Sequence, residues 1–219
     1  MSDPLSGGDE SKLTRTKRRW AEEGRFLTGH AAGQKDRLPP GQHLVKDWPV
    51  LDLGVVPELS LGGWRLDITG FAGNRTTLDW AAFSALPQHE LTSDIHCVTT
   101  WSRYDNMWRG VLARDLVALA DPMKEAQFVL LESADGYSTN LPLADFAAAD
   151  AILATHWNAM PLSREHGGPV RLVVPHLYFW KSAKWLTRIE FLGRDRAGFW
   201  ERNGYHMRGD PWAEERYSS

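Results

Sequence analysis

The chain has a single cysteine, Cys97, set in the run Asp94-Ile95-His96-Cys97-Val98-Thr99-Thr100-Trp101-Ser102. A thiolate is a nucleophile and a soft metal ligand. A lone cysteine is also often a small buried apolar residue. Packing, nucleophilic attack with a distant histidine, and metal ligation therefore all stay open for Cys97. His96 cannot be its partner on a strand, because adjacent residues there point to opposite faces. A zinc site would need more cysteines or suitably spaced histidines, and the eight histidines are scattered. With one cysteine no intrachain disulfide can form.

A second segment with chemical content is His166-Gly167-Gly168-Pro169-Val170-Arg171-Leu172-Val173-Val174-Pro175. On a strand Val170, Leu172 and Val174 share one face and Arg171 takes the other. A guanidinium rooted in so apolar a strand needs an anionic partner, either a protein carboxylate or a bound anion. Thirteen residues on, Lys184 closes the run Lys181-Ser182-Ala183-Lys184. Its ammonium, the Ser182 hydroxyl and the backbone N–H groups could cradle an anion, although an ordinary loop has the same composition.

The elements that must position these groups are strands and short helices. Trp64 to Ile68 alternates apolar and polar and ends at Gly70, which predicts a half-buried strand; Thr92 to Thr99 alternates likewise, with Cys97 near its end. Strands are also predicted over 127–133, 137–141, 169–175 and 185–192, with Asp135-Gly136 as a turn. Short helices are predicted over Leu78 to Leu86, opened by Thr76 and Thr77, over Arg114 to Ala120, and after Pro142. Residues 38–60, punctuated by Pro39-Pro40-Gly41, Trp48-Pro49, Gly54 and Pro57, read as an ordered wrap with little regular structure. Without a regular βαβ rhythm, and with no dinucleotide or phosphate-loop fingerprint, the class is α+β with mixed β-sheets and short helices.

Length favours one domain, residues 20–219, after a disordered tail over 1–19. Lys12, Arg15, Lys17, Arg18 and Arg19 give that tail a basic cluster with acids close by, which reads as a solvated segment rather than a nucleic-acid arm. The net charge of −3 gives no general attraction to nucleic acid or anionic membrane. No apolar run of membrane-spanning length exists, and no apolar stretch follows Arg18-Arg19 as an export signal would require, so a cytoplasmic location is expected. Eleven tryptophans imply either a core rich in large plates or aromatic-lined pockets.

The run from Asp94 to Ser102, followed by Trp108-Arg109-Gly110-Val111, resembles the molybdenum-ligand region of the sulfite oxidase family. Gly167-Gly168-Pro169-Val170-Arg171-Leu172-Val173-Val174-Pro175 resembles that family's pterin-phosphate strand, in the same order and at similar spacing. The resemblance extends over about residues 40–195 and is nearest to the short bacterial sulfite-oxidase-like oxidoreductases, which include the catalytic subunit of methionine sulfoxide reductase. It implies the sulfite oxidase molybdopterin-binding fold, a molybdenum–molybdopterin cofactor, and oxygen-atom transfer on a small-molecule substrate. Carried over residue by residue, it implies that Cys97 binds the metal and that His166, Arg171, Ser133, Ser182, Ala183 and Lys184 contact the cofactor. Tyr137, five residues before Pro142, matches an active-site tyrosine able to donate a hydrogen bond; read from the residues alone it is equally a packed strand residue.

Departures from the family pattern narrow these expectations. Neither a haem domain nor the immunoglobulin-like dimerisation domain of larger members is evident, which implies a monomer and a separate electron-transfer partner. Phe26-Leu27-Thr28-Gly29-His30 offers no arginine for a sulfite-gripping set, and Arg103 is near Cys97 but out of register with that set. Sulfite-type and sulfoxide-type substrates both stay open. Gln42 or His43 is the candidate N-terminal pterin contact. Two other readings compete: a non-catalytic tryptophan-rich ligand-binding module, which predicts several exposed coplanar tryptophans, and a molybdopterin carrier without turnover.

Overall fold

A computed structural model of the chain describes Arg19 and residues 37–218. The expectations for the rest of the 1–19 tail and for Phe26 to His30 lie outside the described residues. In chain order the elements are β1 (His43–Leu44), β2 (Arg65–Gly70), β3 (Thr76–Asp79), α1 (Trp80–Ser84), β4 (His89–His96), β5 (Trp101–Leu112), α2 (Ala113–Ala120), β6 (Phe128–Ser133), β7 (Ser138–Pro142), α3 (Leu143–Phe146), β8 (Ile152–Trp157), β9 (Met160–Pro161), β10 (Arg171–Val173), β11 (Leu186–Leu192) and α4 (Phe199–Arg202). A 3-10 turn covers Phe179–Lys181.

The strands form two sheets. One runs β1-β5-β8-β10, with β4 also on β5 and β9 also on β8; the other runs β3-β2-β11-β6-β7. β1 is parallel to β5 and β2 to β11, and the remaining pairs are antiparallel, so both sheets are mixed as expected. The period-two pattern builds two cores. Leu66 and Ile68 of β2, Val129 and Leu131 of β6, and Ile189 and Phe191 of β11 meet Val111, Leu153 and Leu172 of the first sheet in one core. The neighbours of those last three, Leu112, Ile152 and Val173, face the other way into a second core with Ile95, Cys97, Trp101 and Trp180. The first sheet is therefore buried on both faces, and Arg171 shares the second face with Val173.

Two expectations need correction. Thr76 and Thr77 do not open a helix. They are β3, paired with β2, and the helix starts only at Trp80, where the Asp79 carboxylate caps it by accepting the Ala82 N–H at 2.8 Å. Branched threonines suit that strand, and Asp is the better cap. The predicted strand through Thr99 ends at His96, because the chain turns back at once into β5.

Lys181 and Glu201 are wholly buried and paired at 2.6 Å. The ammonium also donates to the Asn140 and Met207 carbonyls, and Glu201 accepts from Trp180 Nε1 and Thr139 Oγ1. This pair fastens the C-terminal segment to β7 and the 3-10 turn. Losing one partner of a buried pair strands the other charge. Lys181→Met is expected to lower stability by about 3–5 kcal/mol in chemical denaturation, with part regained when Glu201→Leu is added. A loss under about 1 kcal/mol would show that the pair contributes little more than an exposed one.

A second tie is half-exposed. His176 Nδ1 lies 3.0 Å from Asp150 and Nε2 lies 3.5 Å from Asp145, which Arg208 also reaches at 3.1 Å. Burial pulls the His176 pKa down, but hydrogen bonds and charge from Asp145 and Asp150 outweigh it and hold the ring at about 9. The His176 hydrogen bond, with Arg208, keeps Asp145 at about 2 against the burial that raises it. A raised histidine pKa stabilises fully below the free value near 6.5, and that stability is lost as pH rises through 9. The depressed Asp145 stabilises above the free value of 3.8 and loses this as pH falls through 2. Melting temperature should fall between pH 6.5 and 9 in the native chain, and less steeply in His176→Gln. Equal slopes in both proteins would remove His176 from this dependence.

Candidate active site

Cys97 sits at the first position of the tight turn between β4 and β5. Its N–H donates to the Trp101 carbonyl at 2.8 Å, and the Thr100 N–H donates back to the Cys97 carbonyl at 3.0 Å. Thr100 adopts a φ of 74° to close the turn. The thiol reaches a cavity of about 120 Å³, where its Sγ lies 3.1 Å from Thr99 Oγ1. His96 faces elsewhere, as the strand argument required: its Nδ1 meets Ser102 Oγ at 2.8 Å, and burial brings its pKa down to about 4.

The same cavity is lined by Ser133, Tyr137, His166, Arg171, Ser182 and Lys184. Of the eight residues singled out in the sequence, only Ala183 is not on its wall: its methyl packs in the first core and its carbonyl accepts the Leu172 N–H. Gly167 makes the close approach of the two loops possible. Its φ is +102°, and a Cβ there would stand 2.8 Å from Lys184 Cβ.

Arg171 does not pair with a protein carboxylate among the described residues. Its guanidinium donates to the carbonyls of His166 at 2.8 Å, Ser182 at 2.9 Å and Leu172 at 3.3 Å. It also lies over the rings of Phe179 and Trp48, at 4.3 and 5.2 Å. Burial alone draws its pKa down to about 9. His166 stacks on Trp48 at 3.8 Å; burial first, then the charges of Arg171 and Lys184, bring it to about 4, so the ring is neutral at pH 7. Lys184 donates to the Glu165 carbonyl at 2.8 Å, and Ser182 Oγ accepts the Val174 N–H at 2.9 Å. The Tyr137 hydroxyl donates to the Trp180 carbonyl at 2.5 Å, and burial pushes its pKa well above the usual phenol value.

Two buried polar atoms on this wall have no protein partner among the described residues, Ser133 Oγ and Trp101 Nε1. Buried polar groups are nearly always satisfied, by protein, ligand or ordered water, so these are two atoms that a bound ligand could satisfy. A thiol, two cations and orphaned polar groups around one cavity fit an anionic, hydrogen-bonding ligand that carries a soft metal, as molybdenum–molybdopterin does.

Sequence reasoning missed the wall supplied by the wrap. Trp48, Leu51, Asp52 and Leu53 all line the cavity, and only the aromatic Trp48-Pro49 pair within that segment hinted at a binding surface. Gln42 is not on the wall. It holds the Cys97 carbonyl through Nε2 at 3.0 Å and accepts Ser102 Oγ at 3.2 Å. His43 belongs to β1, paired with Trp101. Arg103 turns away from the cavity to the Lys46 carbonyl and Asn106 Oδ1.

Residues 53–200 match the family described as Oxidoreductase molybdopterin binding domain. The chain is 48% identical over 186 residues to the uncharacterized oxidoreductase YuiH of Bacillus subtilis, covering 84% of this chain and 94% of that protein. It is 30% identical to the mitochondrial sulfite oxidase of Drosophila melanogaster, over 68% of this chain and 31% of that one. The sulfane dehydrogenase SoxCD of Paracoccus pantotrophus shares the fold, with a TM-score of 0.62 at 18% identity over 83% of this chain and 54% of that chain. The chain thus spans nearly all of the Bacillus relative, under a third of the sulfite oxidase and about half of the SoxCD chain.

Ser133→Ala offers a test of the orphaned hydroxyl. Removing a buried group that lacks a protein partner relieves a desolvation cost of roughly 1–3 kcal/mol. The cofactor-free variant should melt at or above the temperature of the cofactor-free parent, while molybdenum content of the loaded protein falls. A clear drop in cofactor-free melting temperature would show that the hydroxyl serves the protein itself.

Proposed function

The chain belongs to the oxidoreductase molybdopterin binding domain family and is a molybdopterin-dependent oxidoreductase, and we propose that it transfers an oxygen atom to or from a small sulfite- or sulfoxide-type substrate. The observation that carries this reading is the convergence of the only thiol, Cys97, with Arg171, Lys184 and the unsatisfied Ser133 Oγ on one cavity. When bound, the cofactor supplies a metal that changes oxidation state by two electrons as an oxygen atom moves. The chain's own residues do the rest. Cys97 is the metal ligand. Arg171, Lys184 and Ser182 receive the cofactor's phosphate, Ser133 and His166 contact the cofactor as well, and Ala183, off the wall, serves only to pack the loop that carries Ser182 and Lys184. Tyr137 keeps its proton across the physiological range and can turn its hydroxyl from the Trp180 carbonyl to a substrate oxygen.

Residues 20–219 act as one domain in this reading, a monomeric and cytoplasmic enzyme that hands its electrons to a separate partner. Among the described residues no helix is long and apolar enough to cross a membrane. The tryptophan-rich module is disfavoured by burial: Trp48, Trp101, Trp180, Trp185 and Trp200 line the cavity from inside, and Trp212 is the one exposed tryptophan among the described residues. A redox titration of the metal with an artificial acceptor separates turnover from mere carriage.

Protein made in a host that synthesises molybdopterin should hold about one molybdenum per chain, since a soft thiolate suits the site. Cys97→Ser is nearly isosteric, so it should fold normally yet lose molybdenum and activity. Zinc alone or no metal in the parent protein, or full activity in the variant, would sink the proposal.

A further inference from the structure

Every carbonyl of the Cys97–Thr100 turn accepts a hydrogen bond. The Cys97 carbonyl receives Gln42 Nε2 at 3.0 Å as well as the Thr100 N–H. The Val98 carbonyl receives Arg216 Nη1 at 2.8 Å. The Thr99 carbonyl receives Thr100 Oγ1 at 2.7 Å, and the Thr100 carbonyl receives the His43 N–H at 2.9 Å. Three of these donors, Gln42, His43 and Arg216, lie outside the 53–200 segment that the family match covers. The two flanking segments are also joined to each other, because Arg216 Nη2 donates to the Pro40 carbonyl at 3.2 Å. The guanidinium lies 5.0 Å over the Tyr178 ring, which limits its freedom further.

We propose that Gln42 and Arg216 are positioning residues: from opposite ends of the chain they clamp the Cys97–Thr100 turn and hold the thiol toward the cavity. A four-residue turn with one left-handed residue has few internal ties of its own. Thr100 is β-branched, and its φ of 74° is a conformation such residues adopt only when surroundings enforce it. Donors from outside the turn to the Cys97, Val98 and Thr100 carbonyls supply that enforcement, and Arg216 gives the charge-assisted one. Orienting a ligand through its supports is how a protein fixes metal-site geometry without touching the metal. The clamp rests on Cys97 being the ligand, but its effect on the turn does not.

The test uses the full chain with two readouts besides activity, molybdenum per chain in loaded protein and the rate at which iodoacetamide alkylates the cofactor-free protein. The second reads Cys97 alone, because the chain has no other thiol. Arg216→Met keeps the aliphatic stem and removes the donors. It should raise the alkylation rate about tenfold, the scale of one charge-assisted hydrogen bond, and lower molybdenum content in parallel. Arg216→Lys should restore most of both. Gln42→Met is an independent arm with the same direction, and it carries the test if Arg216→Met does not fold. His176→Gln, which breaks the tie to Asp145 and Asp150 and touches none of the donors to the turn, controls for general loss of stability. Parent-like alkylation and occupancy in both clamp variants would overturn the proposal. So would equal effects from His176→Gln at a matched fall in melting temperature. If the parent itself binds no molybdenum, the functional reading fails while the alkylation arm still decides the clamp.

Discussion

Arg171 is a cation taken out of water with no carboxylate to meet it among the described residues, and the cavity is organised around that fact. A buried guanidinium needs its N–H groups filled and its charge offset. Backbone carbonyls fill the first need, and in doing so tie β10 to the loop carrying His166 and the turn carrying Ser182. The faces of Phe179 and Trp48 meet the charge only in part. What is left is a guanidinium on the wall of a small aromatic chamber, and the segments it joins are ones that carry other candidate contacts.

The first sheet makes this possible by being buried on both faces. Alternation along β10 sends Leu172 to one core while Arg171 and Val173 take the other side. Alternation along β5 and β8 does the same for Val111 against Leu112 and Leu153 against Ile152. The core between the sheets is mostly aliphatic. The other is rich in aromatic plates, among them the stacked pairs Trp200–Tyr205 and Trp48–His166. Large rigid rings leave a shaped gap where branched aliphatic chains would close over it. The abundance of tryptophan thus answers to both sequence readings at once, as core and as pocket wall.

Strands with strong alternation and helices with clear stops were legible: β2, β6, β7, α2 and β11 fall within a residue or two of their expected places. The ambiguity at Thr76 and Thr77 was resolved by pairing with β2, which local pattern does not contain. β5 was missed because its run from Trp101 to Leu112 mixes Arg103, Asp105 and Arg109 with buried aromatics; it is a strand by virtue of β1, β4 and β8 beside it. Cys97 and Arg171 announced themselves by residue type, since a lone thiol and a cation in an apolar strand are each chemically conspicuous. Their partners did not. A main-chain carbonyl looks the same at every position of a sequence, so the ties of Arg171, Gln42 and Arg216 could come only from the fold.

Burial then decides the charge that a ligand meets. It drives His166 neutral, keeps the Tyr137 phenol protonated, and raises the Asp135 carboxyl despite the backbone hydrogen bonds that favour its charge. Arg171 is pulled down too, yet at about 9 it stays a cation at neutral pH. The same desolvation that neutralises the imidazole therefore leaves the guanidinium standing, because its intrinsic basicity is so much higher. The charge of the cavity's ligand is set as much by which groups burial silences as by which groups the chain supplies.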